Sequence, residues 1–313
     1  MTPSALSIHV REAARRLGFS AVGVADIGIL DEGEYLRSWL AQGFNAGMRW
    51  MENAETREDP SRLMAGARSA VVVGAGSRTD AVEAISGQGQ ISSFARFRDY
   101  HRVMEKKLGE LLDEIKSAIT CNGAVAVDSR PVLERALARR AGLGWIGKSS
   151  CLVSPAFGPW MLLGAVVVDV PMEPDVPMES RCGACSRCMD ACPSGALISP
   201  GVLDSNKCVS YLTIEHRGEI PEALRPAVGN HVFGCDECLR ACPWGRESTP
   251  APIMEPRLPA LLPIGDFPEM SQETFLARFS GTPLMRAGRE RMARNAVVVS
   301  GNISAESGGL SGK

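Results

Sequence analysis

Between Cys182 and Pro193 the sequence reads CGACSRCMDACP, with thiols at 182, 185, 188 and 192. Cysteines spaced by two, two and three residues and closed by a proline match the bacterial ligand pattern in which three thiolates hold one [4Fe–4S] cluster and the fourth crosses to another. A folded-back loop of this spacing sets three thiolates on three corners of a cube while its N–H groups point at the sulfides. A second run, CDECLRACP (235–243), repeats the pattern without its leading cysteine. Cys208, in SNKCVSYL, is the one cysteine between the runs and the economical choice for the missing ligand. The crossing rule then assigns Cys182, Cys185, Cys188 and Cys242 to one cluster, and Cys192, Cys208, Cys235 and Cys238 to the other. Zinc is the alternative, because C-x2-C pairs also build tetrahedral sites. Eight cysteines in this order, with Pro193 and Pro243 after the crossing ligands, favour clusters. Cys121 and Cys151 fall outside the pattern and are expected to be small buried hydrophobes. Two clusters make a one-electron wire that performs no bond chemistry alone, so something else must take the electrons.

The elements that position this module are read from periodicity. Apolar β-rich runs recur at 20–26, 69–76, 123–129 and 161–170, with helical patterns between them. The clearest helix is RVMEKKLGELLDEIKSAI, where Met104, Leu108, Leu111, Ile115 and Ile119 form one stripe. The alternation predicts an α/β (α+β) domain over residues 1–172, then a ferredoxin-like double-cluster module over 173–248, entered through the Pro-rich linker VPMEPDVPMES. A helical C-terminal segment over 249–302 and a disordered tail over 303–313 complete the expected organisation. Hydrophobic residues at 45% and charged residues at 22% exclude a disordered or fibrous chain. A net charge of −2 gives no global sign of nucleic acid. The longest apolar run, WMLLGAVVVDV (160–170), is too short to span a bilayer, and the N-terminus reads as a surface helix and not a signal. A cytoplasmic location follows as an expectation, and ten cysteines in a reducing compartment argue for metal or redox chemistry.

Asp128 ends a predicted strand and Pro131 begins a predicted helix, so its carboxyl group either caps that helix or faces a ligand crevice at the strand end. GLGWIGKSS (142–150) offers a glycine-rich loop that lets backbone approach a large ligand. Two basic stretches, Arg130, Arg135, Arg139 and Arg140, and Arg286, Arg289, Arg291 and Arg294, are either solvated helix faces or contacts for a phosphate backbone.

Taken together, GMRWMENAETREDPSRLMAGARSAVVVG (47–74), FARFRDYH (94–101), VDSRPVLERALARRAGLGWIGKSS (127–150), CVSYLTIE (208–215), GCDECLRACPWG (234–245) and GTPLMRAGRERMARNAVVVSGN (281–302) resemble the epoxyqueuosine reductases. The resemblance implies that the first domain binds cobalamin, that two [4Fe–4S] clusters feed it electrons, and that the epoxide on a modified base at the tRNA wobble position is reduced. It implies Asp128 as proton donor to the departing oxygen. It also implies Arg57, Asp128, Ser210, Gly234, Cys235 and Asp236 around the corrinoid. DYHRVM (99–104) comes close to the D-x-H-x-x-G motif whose histidine ligates cobalt in other cobalamin proteins, but Met104 replaces the glycine, so His101 is expected to be structural or pocket-lining and not an axial ligand. Expected partners are a tRNA with a GUN anticodon and an external low-potential electron donor, with no membrane and a monomeric chain. Arg130 and Phe97 stand where the family usually has a small residue and a glycine, and both are expected to alter the pocket. Many relatives continue into a helical-repeat extension near the point where this sequence stops. A reductive dehalogenase-like enzyme and a non-catalytic electron or corrinoid carrier are the competing readings; the first usually carries a twin-arginine export signal, and Asp128 speaks against the second.

Overall fold

In a computed structural model describing residues 1–128 and 130–309, the apolar runs at 69–76 and 161–170 are the middle strands of a four-stranded sheet. The elements that build it are α1 (Pro3–Arg16), β1 (Ala21–Asp26), β2 (Ser69–Gly76), β3 (Gln88–Ile91), α2 (Tyr100–Ala118), β4 (Gly123–Ala126), α3 (Glu134–Arg140) and β5 (Met161–Val168). Of these, β3 belongs to a second sheet. The strand order is β1-β2-β5-β4, and every neighbouring pair is antiparallel. All eight residues of β2 are buried. Side chains alternate across a strand, so Val71, Val73 and Ala75 join one core while Ala70 and Val72 join another. The first core is closed by Leu6, Val10 and Ala14 of α1 and by Met104, Leu108, Leu111 and Ile115 of α2, the second by Ala136, Leu137 and Ala138 of α3. Helices on both faces explain the uninterrupted valines. The antiparallel order corrects the crevice argument for Asp128, because a strand-end crevice of that kind belongs to parallel sheets.

The Pro-rich linker has no regular structure of its own, yet it is fastened to the sheet. Asp175 donates its N–H to the Val24 carbonyl at 2.8 Å, and its carboxylate accepts from Val24 N at 2.8 Å and from Arg11 at 2.7 Å. These bonds occupy the outer edge of β1, which would otherwise be an open template for pairing.

Beyond the linker lie α4 (Arg187–Asp190), α5 (Val209–Ile214), β6 (His231–Phe233), α6 (Glu237–Arg240), β7 (Leu261–Pro263), α7 (Gln272–Phe279) and α8 (Gly288–Gly309). The second sheet has the order β6-β3-β7, with β6 parallel and β7 antiparallel to β3. It takes one strand from each of the three segments expected as domains, so the boundaries at 172 and 248 cut across one sheet. A further core gathers Ile91, Val232, Phe233, Leu262, Phe275, Phe279, Met292 and Val299 around this sheet, α7 and α8. The 249–302 segment is therefore not helical throughout. The expected tail is helical to Gly309, and residues 310–313 lie outside the described residues. Phe97 does not line a pocket: it is 2% exposed and packs into the α1/α2 core.

The C-terminal basic stretch is largely structural. Arg294 donates to the carbonyls of Leu212, His216 and Gly218. Arg291 serves those of Arg286, Ala287 and Glu215. Asn295 bridges Thr213 O at 2.8 Å and Val232 O at 2.9 Å. These groups close orphan carbonyls at the end of α5, which is why the RMARN segment is polar although it is packed against protein.

Candidate functional site

The two cysteine runs fold alike. Residues 185–193 and 235–243 are related by a shift of 50, and their main chains make the same bonds: Met189 and Leu239 to Ser186 and Asp236, Ala191 and Ala241 to Arg187 and Glu237, Cys192 and Cys242 to Met189 and Leu239. The residues preceding the short helices α4 and α6 share φ/ψ values of −119/2° and −112/7°. The same shift carries Cys182 to Val232, which is fully buried in β6. The leading thiol of the second run is absent because that position belongs to a strand facing the core. Cys208 instead precedes the first turn of α5, and the Thr213 hydroxyl of that helix accepts from Gly234 N at 2.9 Å, binding the two segments together.

Packing of α4 against α6 brings the thiols into two sets. Cys182, Cys185, Cys188 and Cys242 line one cavity of about 90 Å³. Burial raises the Cys188 and Cys242 thiols, and each also feels Cys182. In the other set burial raises Cys208, which feels Cys192, and pushes up Cys235 and Cys238, both of which feel Cys208. Among the described residues no three His, Cys, Asp or Glu side chains are grouped to hold a single metal ion. A zinc site would need four ligands within about 2.3 Å of one point. The first set instead surrounds a cavity, which fits a polynuclear cluster. The GLGWIGKSS loop serves this module: Trp145 Nε1 donates to Cys182 Sγ at 3.4 Å and Lys148 Nζ to Gly183 O at 2.7 Å. Trp145 and Trp244 meet edge to face at 5.1 Å beside the same cavity. Cys121 packs half-buried at the margin of the first core. Cys151, expected to be an inert filler, is half-buried and within electrostatic reach of Cys208, Cys238 and Cys242, between the two sets.

Glycine is required where the module meets the first sheet's loops. Gly158 and Gly245 have φ of 57° and 70°. A Cβ on Gly158 would stand 2.1 Å from Trp244 O, and one on Gly245 2.2 Å from the Phe157 carbonyl carbon. Gly245→Ala is expected to cost about 2–4 kcal/mol through left-handed backbone strain and overpacking. Thermal denaturation with iron analysis should show a lower Tm and poorer iron retention; an unchanged Tm would mean that the two loops separate freely.

The expected corrinoid residues come from separate segments of the chain. Asp236 is 4% exposed, and its carboxylate accepts from Ser93 N at 2.6 Å, so it fastens the loop after β3. Gly234 has φ of 73°, and a Cβ there would stand 2.0 Å from Ser92 Oγ. Ser210 is half-buried on α5. Arg57 is buried, donating twice to Trp50 O at 2.8 and 3.1 Å, and feels Asp128 and Glu134. Beside Asp236, Arg96 Nε and Arg240 Nε are buried donors without an acceptor among the described residues, and Arg240 stands 3.7 Å from the Asp236 carboxylate. Arg96 also lines a cleft of about 360 Å³ with Arg78, Thr79 and Ser248. The Arg78, Arg96 and Thr79 side chains give this cleft donors that fit a large cofactor edged with amide carbonyls.

Asp128 lies two residues beyond β4, with φ of 40° and 51% of its side-chain surface open. Among the described residues its side chain caps no helix: α3 begins only at Glu134, and the Glu134 carboxyl oxygen accepts from Asp128 N at 2.7 Å. Asp128 Oδ2 meets His101 Nε2 at 2.8 Å, and His101 Nδ1 meets Asp99 Oδ1 at 2.7 Å. Tyr100 stacks on the imidazole with centroids 4.1 Å apart and bonds to Asp128. The His101 hydrogen bond is the main cause that holds Asp128, and likewise Asp99, below the ordinary carboxylate range. Burial opposes charge on His101, but the two carboxylates outweigh it and raise the imidazole to about 9. Desolvation, then the Asp128 charge, raises Glu134 to about 8, so its carboxyl group is neutral at pH 7. Sequence reasoning found Asp128 but missed Asp99 and Glu134, and left His101 without a task. The only local signal was the carboxylate two residues before the histidine.

A mixed α/β domain coupled to a double cysteine module defines the class as an iron–sulfur oxidoreductase, and residues 181–245 match the family described as "4Fe-4S double cluster binding domain". Residues 57–129 match the family described as "Epoxyqueuosine reductase QueG, DUF1730". The chain is 39% identical to the epoxyqueuosine reductase of Xanthomonas campestris, over 96% of this chain and 88% of that one. It is 36% identical to that of Escherichia coli K12, over 95% and 81%. This chain belongs to the epoxyqueuosine reductase family. Among solved structures it is similar to an epoxyqueuosine reductase with an epoxyqueuosine-modified tRNA-Tyr stem loop, at TM-score 0.89 and 29% identity over 97% of this chain and 83% of that one. It also resembles the Bacillus subtilis enzyme with an aspartate-bearing catalytic loop swung out of the active site, at TM-score 0.87 and 27% identity over 97% and 83%. A reductive dehalogenase shares the fold at TM-score 0.51 and 17% identity, with 98% of this chain covering 37% of that one.

Proposed function

We propose that this epoxyqueuosine reductase acts on epoxyqueuosine at the wobble position of a tRNA with a GUN anticodon, using cobalamin, with Asp128 delivering a proton to the departing oxygen. Removing the epoxide oxygen as water while forming the alkene consumes two electrons and two protons. Bound cobalamin would supply the low-valent metal that accepts electrons and engages the epoxide carbon. The two cysteine sets would hold the clusters that conduct electrons from an external low-potential donor. Ser210, Gly234, Cys235 and Asp236 would border the corrinoid, Gly234 and Asp236 through main chain because their side-chain space is filled, and Arg57 would keep negative charge at Asp128. The observation that carries this reading is a half-open Asp128 backed by His101 on the same chain as two four-cysteine sets.

Anaerobic reconstitution tests it. Iron-loaded protein with cobalamin and a low-potential reductant is expected to convert epoxyqueuosine in tRNA to queuosine, read by mass spectrometry of nucleosides. No queuosine from fully loaded protein would refute the reading.

For tRNA, Arg140 is spent on Gly28 O and Ile29 O, and Arg139 on Glu32. Arg130 stays exposed, and Arg286, half exposed, stacks over the exposed Trp50 ring at 5.2 Å. Trp50 and Arg286 offer a flat surface for an unstacked base, and Arg130 a phosphate contact. With few free arginines, affinity for tRNA is expected to fall with salt at a log–log slope of only about −1 to −3, at ~0.7–0.9 per phosphate. A slope of zero in binding titrations overturns the backbone contact. Cytoplasmic location follows from the tRNA substrate, and among the described residues no helix is long and apolar enough to cross a membrane.

A further inference from the structure

We propose that His101 is the proton reservoir behind Asp128, charged between two carboxylates and oriented by Asp99, so that the acid at the epoxide is an Asp128–His101 pair and not an isolated carboxyl group. The inference rests on the reading of Asp128 as the group facing the substrate; His101 itself acts through Asp128 and is a positioning residue. Geometry carries it. Both ring nitrogens stand within 2.8 Å of carboxylate oxygens. An ionised carboxylate can only accept, so both nitrogens must donate, and an imidazole that donates twice is an imidazolium. Asp99 is fixed in turn: its carboxylate accepts from His101 N at 3.1 Å at the start of α2, and its own N–H donates to Gly281 O at 2.8 Å. Tyr100 covers one face of the ring.

The proton path balances. As negative charge develops on the epoxide oxygen, the Nε2–H bond of His101 breaks while a proton forms an O–H bond on Asp128. That O–H then breaks as the substrate oxygen takes the proton. Asp128 ends ionised and His101 neutral, and the imidazole, 28% exposed, regains a proton from water for the second transfer. Electrons come from the donor and clusters already invoked. An aspartate that is ionised at neutral pH cannot start this sequence alone, which is the problem the pair solves.

The titratable and charged groups facing the pair are Asp99, Tyr100 and Arg102 at the start of α2, Glu134 and Arg135 on α3, Arg57, and Arg286 from the C-terminal segment. Glu134 remains neutral until about pH 8 and then adds a carboxylate that holds the His101 proton more firmly.

Two readouts test the pair. The first is NMR titration of His101 in the protein as isolated, independent of any cofactor. Titration near pH 9 is expected, with a fall of one or more pH units in Asp99→Asn and in Asp128→Asn. A midpoint at an ordinary imidazole value of about 6.5 overturns the proposal. The second is single-turnover reduction by the loaded enzyme against pH. The wild type should lose rate as pH rises through about 9. His101→Gln, whose amide can still bond Asp128, should be slower by about 10²–10⁴ at pH 7.5 and lack that alkaline limb, while Asp99→Asn should move the limb to lower pH. Should His101→Gln fail to fold, Asp99→Asn carries the test alone. An unmoved limb in Asp99→Asn overturns the proposal. Absence of any wild-type turnover would count against the substrate assignment and leave the NMR result to judge the pair.

Discussion

Asp128→Asn is expected to slow reduction of epoxyqueuosine by about 10²–10⁴ while iron content, cofactor content and Tm stay near wild type. Asparagine suits the test for two structural reasons. It tolerates the left-handed conformation found at residue 128, where φ is 40°, almost as well as aspartate does. Its amide oxygen can still accept from His101 Nε2, so the pocket keeps its shape and loses only the proton-carrying oxygen. Asp128→Ala would mix lost chemistry with backbone strain of about 1–2 kcal/mol and is the poorer variant. Single-turnover rates with prereduced enzyme isolate the chemical step from electron delivery. Wild-type rates in Asp128→Asn would mean that the departing oxygen takes its proton from water or another group.

The second large effect concerns the wire. Cys208→Ser is expected to remove one of the two clusters, halving the iron, and to drop steady-state turnover to background because the electron path is cut. The crossed arrangement makes a sharper claim than a simple loss. Cys192→Ser should remove the same cluster as Cys208→Ser although Cys192 lies in the first run, whereas Cys242→Ser should empty the cavity lined by Cys182, Cys185 and Cys188 although it lies in the second. Electron paramagnetic resonance of reduced protein distinguishes the outcomes: wild type should show two interacting clusters, and each variant one isolated signal. If Cys192→Ser and Cys242→Ser instead eliminate the clusters of their own runs, the crossed assignment is wrong.

The pairing of stability with pH follows from the same centre. Because the folded-state pKa of His101 is raised from 6.5 to about 9, its contribution to stability is complete below pH 6.5 and is lost as pH rises through 9. That window separates the His101 charge from Asp99 and Asp128, whose lowered values act only in acid, whereas Glu134, raised to about 8, titrates within it.

What the sequence determined by itself is local. Thiol spacing is a statement about one loop, so CGACSRCMDACP and CDECLRACP announced their chemistry without a fold. The apolar β-rich runs became strands, and the stripe from Met104 to Ile115 became the buried face of α2, because such runs and 3.6-residue repeats depend only on neighbours. The tertiary structure decided what depends on distant partners. Strand direction was invisible, since a valine run buried on both faces reads the same in either orientation, and with it fell the crevice argument for Asp128. The basic segment around Arg294 read as either a solvated face or a phosphate contact because a guanidinium satisfied by carbonyls 76 to 82 residues away has the same letter as a free one. Val232 stands in place of the leading cysteine of the second run because β6 must face a core built from three separate segments. The proton centre was hidden for the same reason. Asp99 and His101 open α2, Asp128 follows β4 and Glu134 begins α3, and only the packing of α2 across the sheet brings them within hydrogen-bond distance.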